Sequence, residues 1–287
     1  MNSTEEGTKE YLLRSSANKN KENISSIVSD FIKSYSARDD ISTAWGEPVT
    51  GFAGAEHPYV LSLKKITDTD HVLPKEILPD ASVVIVYFVP FTSFLAASNR
   101  ERGIYASRQW ALAYEETNAM FTALNAKIIS EICGTGYKAV FPDEAGIFDR
   151  HELVSLWSHR HFAYAAGLGT FGLNNMLISE SGCCGRCSSI VTNMPLEPDA
   201  PMDDELCIYK KNGTCGACVK ACPSGALTKE GFDRHKCYEI CMKNAAIYKD
   251  IGSSYQYGQE EGEDSIGSEV CGKCIAHAPC AFLSGGG

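Results

Sequence analysis

The distribution of cysteine is the feature that most limits what this sequence can fold into. Nine of its thirteen cysteines lie between Cys207 and Cys280. The stretch TCGACVKACPSGAL, residues 214–227, has the spacing C-x2-C-x3-C-P, which is formed by Cys215, Cys218 and Cys222. A fourth cysteine three positions earlier would complete a C-x2-C-x2-C-x3-C-P run, but Asn212 occupies that position. An amide cannot replace a thiolate, so another cysteine has to complete the set.

The surroundings of these thiols favour metal or redox chemistry over disulfides. The N-terminal 23 residues are polar and lack the apolar segment of a signal peptide, so we expect a cytoplasmic protein with reduced thiols. The longest apolar run, ASVVIVYFVPF at 81–91, is far below the roughly 18 residues that span a bilayer, so it predicts a buried strand and no membrane association. The net charge of −10 disfavours broad binding to nucleic acid or anionic lipid.

The cysteine spacing is typical of proteins that bind two [4Fe-4S] clusters. In such runs, closely spaced thiolates hold one cluster, and the cysteine before the proline binds the other. Two sets of four follow. The first cluster takes Cys207, Cys215, Cys218 and Cys280, and the second takes Cys222, Cys237, Cys271 and Cys274.

Two alternatives to this assignment stay open. Cys241 lies four residues after Cys237 on one face of a predicted helix, so either can be the ligand. The two C-x2-C pairs could also close one zinc site, although the Cys222-Pro223 pair and the surplus of cysteines fit two clusters better. In the first set, Cys207 is the predicted replacement for the thiolate missing at Asn212.

Hydrophobic periodicity divides the chain into three parts. Residues 1–22 form a polar lead, and a helix starts near Asn23. Residues 23–200 contain a strand at 82–89, a helix that ends at the glycines 134 and 136, a strand at 137–141, and a helix opened by a capping box of Asp149 and Glu152. This alternation predicts an α/β or α+β domain. Residues 201–287 form the cysteine-rich domain, in which 252–269 is a polar, exposed insertion.

Two segments before the cysteine-rich part carry a family resemblance. They are AGLGTFGLNNMLIS, residues 166–179, and SSIVTNMPLEPD, residues 188–199. The glycines of the first match G-x-G-x-x-G but follow a helix, which argues against dinucleotide binding. With the cysteine pattern, these segments resemble the epoxyqueuosine reductase family from about residue 80 to the C-terminus. The resemblance implies an α+β protein: an N-terminal nitroreductase-like domain that binds cobalamin, followed by a ferredoxin-like domain with two [4Fe-4S] clusters, as in the related reductive dehalogenases.

The same resemblance implies a function and a set of site residues. The chain would be an iron–sulfur oxidoreductase that passes single electrons to a cobalamin, which reduces a substrate. Asp143 would be the proton donor, although an ordinary loop carboxylate explains it equally well. The residues bordering the corrinoid would be Gly167, Gly169, Gly172, Asn174, Thr192, Pro195 and Leu196.

Partners also follow from the resemblance. An external low-potential donor such as ferredoxin or flavodoxin would supply electrons. The substrate would be a small molecule or a corrinoid protein, whereas the acidic charge and the lack of C-terminal helical repeats disfavour tRNA. The alternative function is an electron-transfer or activator protein that reduces a partner without binding cobalamin.

The tract Cys183-Cys184-Gly-Arg-Cys187 has no counterpart among these expected ligands. It predicts either a third metal or redox site at the mouth of a cofactor pocket, or a turn with small buried thiols.

Overall fold

An antiparallel sheet with helices on both faces forms the N-terminal half of the molecule. The computed structural model describes residues 3–142, 148–149, 151–254 and 267–283. The strands are β1 (Val49–Gly54), β2 (Val83–Pro90), β3 (Ala139–Val140), β4 (Phe148–Asp149), β5 (Val154–Ser155), β6 (Gly169–Phe171), β7 (Leu177–Ser179) and β8 (Gly185–Thr192). The main sheet has the order β1-β2-β8-β3, and each neighbouring pair is antiparallel.

Long helices cover the sheet, and short helices carry the cysteine-rich part. The helices are α1 (Ser3–Ser36), α2 (Pro58–Leu61), α3 (Leu63–Ile66), α4 (Pro74–Ile77), α5 (Ser93–Glu101), α6 (Arg108–Gly134), α7 (His159–Ala165), α8 (Ile208–Asn212), α9 (Ala217–Ala221), α10 (Arg234–Ile247) and α11 (Lys273–Ala276). A 3-10 turn, Pro279–Ala281, follows α11. Among the described residues, no helix combines the length and the apolar composition needed to cross a membrane.

Strand β2 is apolar along its whole length because both faces of the sheet are covered. All eight of its residues are buried. Successive side chains point to opposite faces of a sheet, so Val83 and Ile85 pack against α1 and α6. Val84 and Val86 pack on the other face, against α7 and the segment of short helices before β2. The predicted strand at 82–89 is confirmed.

The predicted helix boundaries are right in one place and wrong in two. Helix α6 ends at Gly134, as expected. Helix α1 begins at Ser3 and not near Asn23, because a helix can extend beyond its apolar stripe through residues such as Glu and Lys, which favour it. The capping box at Asp149 is also wrong. Its carboxylate accepts bonds from the backbone N–H of His151 and of Glu152, at 2.8 and 2.9 Å, and closes a turn between β4 and β5.

A shared core joins the cysteine-rich part to helices α5 and α6. Trp110 of α6 is 2% exposed and packs in one buried group with Cys184, Tyr248 and Ile275. The hydroxyl of Tyr248 donates to the backbone oxygen of Ala106 at 2.6 Å. The cysteine-rich part is therefore packed directly onto the layer of helices. The predicted insertion at 252–269 falls mostly outside the described residues, which omit 255–266.

Candidate functional site

Four thiols from distant parts of the chain surround one cavity. Cys207, Cys215, Cys218 and Cys280 all line it. The wall of this cavity also includes residues 172–174 and Ala278. Burial raises the pKa of Cys218 to about 11, and the neighbouring thiolates of Cys280, Cys207 and Cys215 act in the same direction. We call these four cysteines the first thiol group.

A left-handed turn places Cys207 beside Cys215. Cys207 is the residue before α8, and Gly213 ends this helix with a φ of 75°. Glycine adopts this conformation without steric cost, which lets the chain reverse toward Cys215. Asn212 is exposed, and its side-chain oxygen accepts a bond from the backbone N–H of Thr214 at 3.0 Å. The amide of Asn212 therefore stabilises the turn and is not among the residues that line the cavity.

A second thiol group forms around α11. It consists of Cys222, Cys237, Cys271 and Cys274, and their charges interact with one another. Burial raises the pKa of Cys271 to about 11, with a further contribution from the thiolates of Cys237 and Cys222. Burial and the same neighbours also raise the pKa of Cys274. A tight cluster of buried thiols resists deprotonation unless a metal supplies the compensating charge.

Cys237 and Cys241 both reach the second thiol group. They lie one turn apart on α10 and are joined by a hydrogen bond between their side chains. The neighbouring thiol and burial raise the pKa of Cys241. Cys241 also lies near Cys271 and Glu269. Both cysteines therefore stay candidates for the fourth ligand, with Cys237 as the predicted one.

A single metal ion and a [4Fe-4S] cluster place different requirements on a group of thiols. Among the described residues, no three His, Cys, Asp or Glu side chains are arranged to hold one metal ion. A [4Fe-4S] cluster has a different requirement, because each iron takes one thiolate and the four sulfurs surround a space. In the first thiol group, all four cysteines line one cavity.

The three cysteines at 183–187 have separate surroundings. The Sγ of Cys183 lies 3.8 Å from the Sγ of Cys280, and the backbone N–H of Cys183 donates to the oxygen of Cys280 at 2.8 Å. Cys184 is buried in the core with Trp110. Burial raises the pKa of both Cys184 and Cys187 to about 12. Only Cys183 thus adjoins the first thiol group. No spacing rule could have indicated this, because its contact lies 97 residues away.

The predicted corrinoid contacts are divided between the cavity and the packed interior. Gly172 and Asn174 line the cavity. The side-chain amide of Asn174 also lies 3.9 Å from the Sγ of Cys183. Gly167 and Gly169 are packed against backbone: a Cβ would lie 2.3 Å from the oxygen of Ala200 in the first case and 2.0 Å from that of Ile178 in the second.

The last residue of β8 and most of the segment after it make packing contacts and hydrogen bonds within the N-terminal half. The Thr192 hydroxyl is buried and donates to the backbone oxygen of Lys138 at 2.7 Å. Leu196 is buried in the core with α1 and α6, whereas Pro195 is exposed. The carboxylate of Asp199 accepts bonds from the Lys21 ammonium at 2.5 Å and from the backbone N–H of Phe52 at 2.9 Å. Asp143, the predicted proton donor, lies outside the described residues.

Sequence comparison relates the chain to one group of enzymes. No protein-family model matches it. The epoxyqueuosine reductase of Listeria monocytogenes is 29% identical over 207 residues, which are 70% of this chain and 47% of that protein. The epoxyqueuosine reductase of Bacillus subtilis is 26% identical over 209 residues, covering 70% of this chain and 48% of that protein. The chain thus spans about half the length of these curated relatives.

Solved structures give the same relation at the level of the fold. A selenomethionine-labelled epoxyqueuosine reductase matches with a TM-score of 0.51 and 19% identity, over 90% of this chain and 66% of that one. An epoxyqueuosine reductase crystallised with an epoxyqueuosine-modified tRNA stem loop matches with a TM-score of 0.50 and 20% identity, over 82% and 62% of the two chains. At these identities the likeness shows the fold alone. In sequence and in fold, this chain resembles the epoxyqueuosine reductases.

Proposed function

We propose that the protein is an iron–sulfur oxidoreductase that holds two [4Fe-4S] clusters and passes single electrons through them to a bound cobalamin. The first thiol group would hold one cluster and the second thiol group the other. The observation that carries this proposal is the meeting of Cys207, Cys215, Cys218 and Cys280 at one cavity. The relatives named epoxyqueuosine reductase support an oxidoreductase.

The chain's own residues would place the two clusters close together. Cys218 and Cys222 lie at opposite ends of one short helix, α9, and belong to different thiol groups. The charges of Cys274 and Cys218 also interact across the two groups. When bound, the clusters would supply one-electron transfer at low potential, and the cobalamin would supply a strong reductant or nucleophile. The protein would position these groups and exclude water.

The residues expected to surround a corrin fit less well than those expected to bind iron. Of the seven, only Gly172 and Asn174 line the cavity of the first thiol group. Thr192 and Leu196 are buried within the packed core. The cobalamin part of the proposal therefore rests on the likeness to the epoxyqueuosine reductases and not on these contacts. The second candidate is an electron-transfer or activator protein that reduces a partner and holds no cobalamin of its own.

The substrate is a separate part of the proposal. One structural relative was solved with a tRNA stem loop, which makes modified tRNA a candidate. The overall charge of −10 opposes this, but the segment 207–249 contains eight Lys or Arg residues against three Asp or Glu. All eight of these cationic residues are exposed. A small molecule or a partner's corrinoid remains the alternative, and the electron donor would be a ferredoxin or a flavodoxin.

Metal analysis after anaerobic purification and incubation with cobalamin tests the proposal. We expect about eight irons per chain, which is what two [4Fe-4S] clusters contain, together with about one cobalt. Iron without cobalt would contradict the cobalamin enzyme and leave the electron-transfer protein. Stoichiometric zinc in place of iron would contradict both. The visible absorption spectrum distinguishes clusters from adventitious iron.

A further inference from the structure

A lysine is buried inside the second thiol group. Lys273 lies between Cys271 and Cys274 at the start of α11, and its side chain is enclosed: the residue is 1% exposed. Its ammonium donates to the backbone oxygen of Asn99, the one hydrogen bond of this group among the described residues. Burying a charged ammonium is costly unless a negative charge compensates it.

Among the described residues, no carboxylate forms an ion pair with this lysine. The charged groups that interact with it are the thiolate of Cys271 and the guanidinium of Arg102, which has the same sign as the lysine. Arg100, on α5, lies close by and donates to the backbone oxygen of Ala276 at 3.1 Å. Among the described residues, Lys273 is not a member of any ion pair with a carboxylate. The negative charge shown to act on Lys273 is thus the thiolate of Cys271, a member of the second thiol group.

A second cation approaches the same thiols from another element. Arg160 of α7 is half-buried, and its guanidinium donates to the backbone oxygen of Asn175 and to the sulfur of Met176. Its charge interacts with the thiolates of Cys187 and Cys274. Two cations from separate parts of the fold, neither with a carboxylate partner among the described residues, thus face the second thiol group.

We propose that Lys273, assisted by Arg160, raises the reduction potential of the cluster held by the second thiol group. This inference rests on the proposed function. Reduction takes one electron from the external low-potential donor, which is oxidised by one electron, and adds one negative charge to the cluster. A fixed positive charge in a water-poor interior stabilises the more negative state. Net charge and solvent exposure around the sulfurs are established determinants of such potentials.

The arrangement has a consequence for electron flow. A cluster with a raised potential accepts an electron from the donor more readily than an equivalent cluster without the cations. Lys273 does not contact a reacting atom, so it is a positioning residue that acts through the cluster. Its role is therefore measured as a potential and not only as an activity.

The test is a potentiometric titration of the anaerobically purified protein, monitored by electron paramagnetic resonance. Lys273→Gln keeps a hydrogen-bond donor but removes the charge, and Lys273→Arg keeps the charge. We expect Lys273→Gln to lower the midpoint of one of the two clusters by at least about 59 mV, a tenfold change in the ratio of reduced to oxidised cluster. Lys273→Arg should titrate like the wild type. The exposed Lys243→Gln is the matched control and should shift neither cluster.

The remaining outcomes separate this inference from the proposed function. Unchanged midpoints in Lys273→Gln, with wild-type iron content, would overturn the inference alone. An equal shift in the midpoint potentials of both clusters would also overturn the inference. Such a shift would indicate a general loss of packing and not the loss of a charge beside one cluster. If Lys273→Gln loses iron, the titration is repeated with Arg160→Gln. Unchanged midpoints in Arg160→Gln would then overturn the inference. A wild-type protein without any four-iron signal would overturn the proposed function, and this inference with it.

Discussion

Cys207→Ser is expected to remove about half of the bound iron, because it deprives one of two [4Fe-4S] clusters of a ligand. Cys207 lines the cavity of the first thiol group, whereas Asn212, which occupies the usual position of this ligand, is exposed and bonded to Thr214. Asn212→Ala should therefore retain all of the iron. The measurement is the iron content per chain of anaerobically purified protein, together with the amplitude of the cluster absorption.

A matched control removes a thiol without touching either group. Cys133 is exposed at the end of α6, and Cys133→Ser should bind as much iron as the wild type. Full iron in Cys207→Ser, combined with a loss of iron in Asn212→Ala, would show that the replacement ligand is wrong. Loss of all iron in Cys207→Ser would indicate that the two clusters assemble as a unit.

Gly272→Ala is expected to destabilise the protein and to release the second cluster. Gly272 has a φ of 69°, and a Cβ on it would lie 2.2 Å from the ring of Trp110. Left-handed backbone costs an L-residue about 1–2 kcal/mol, and overpacking of a core adds about 1–3 kcal/mol. Trp110 is 2% exposed and packs edge-on against Phe91, so its ring has little room to move. Displacement of Gly272 would also move its neighbour Cys271.

Gly225→Ala separates the two causes of this effect. Gly225 has nearly the same backbone conformation, with a φ of 67°, but a Cβ there would meet no atom within 4 Å. It should carry the backbone cost alone, with a smaller fall in thermal midpoint and no loss of iron. Thermal unfolding followed by circular dichroism, with iron content measured in parallel, checks both variants. Equal effects in the two variants would contradict a role for the Trp110 contact.

Local patterns predicted those parts of the fold that depend on neighbouring residues. The apolar run at 81–91 contains β2. The apolar side chains of α1, which are Ile24, Val28, Ile32 and Tyr35, are buried. The same reasoning failed at Asp149, where a carboxylate closes a turn before a strand instead of starting a helix. Asp-x-x-Glu is compatible with either outcome, and the pairing of β4 with β5 decided between them.

The cysteine spacing by itself predicted which thiols to group, because ligands two or three residues apart reach a common point from one turn of chain, and it left Cys237 and Cys241 as alternatives. It could not determine which residues from other parts of the chain contact those thiols. The contact between Cys183 and Cys280, the burial of Lys273 beneath α5, and the packing of Thr192 within the sheet join residues that are far apart in sequence. Such contacts depend on how the sheet, its helices and the cysteine-rich part pack together. Only the tertiary structure brings Lys273 and Arg160, which have no carboxylate partner among the described residues, to the second thiol group.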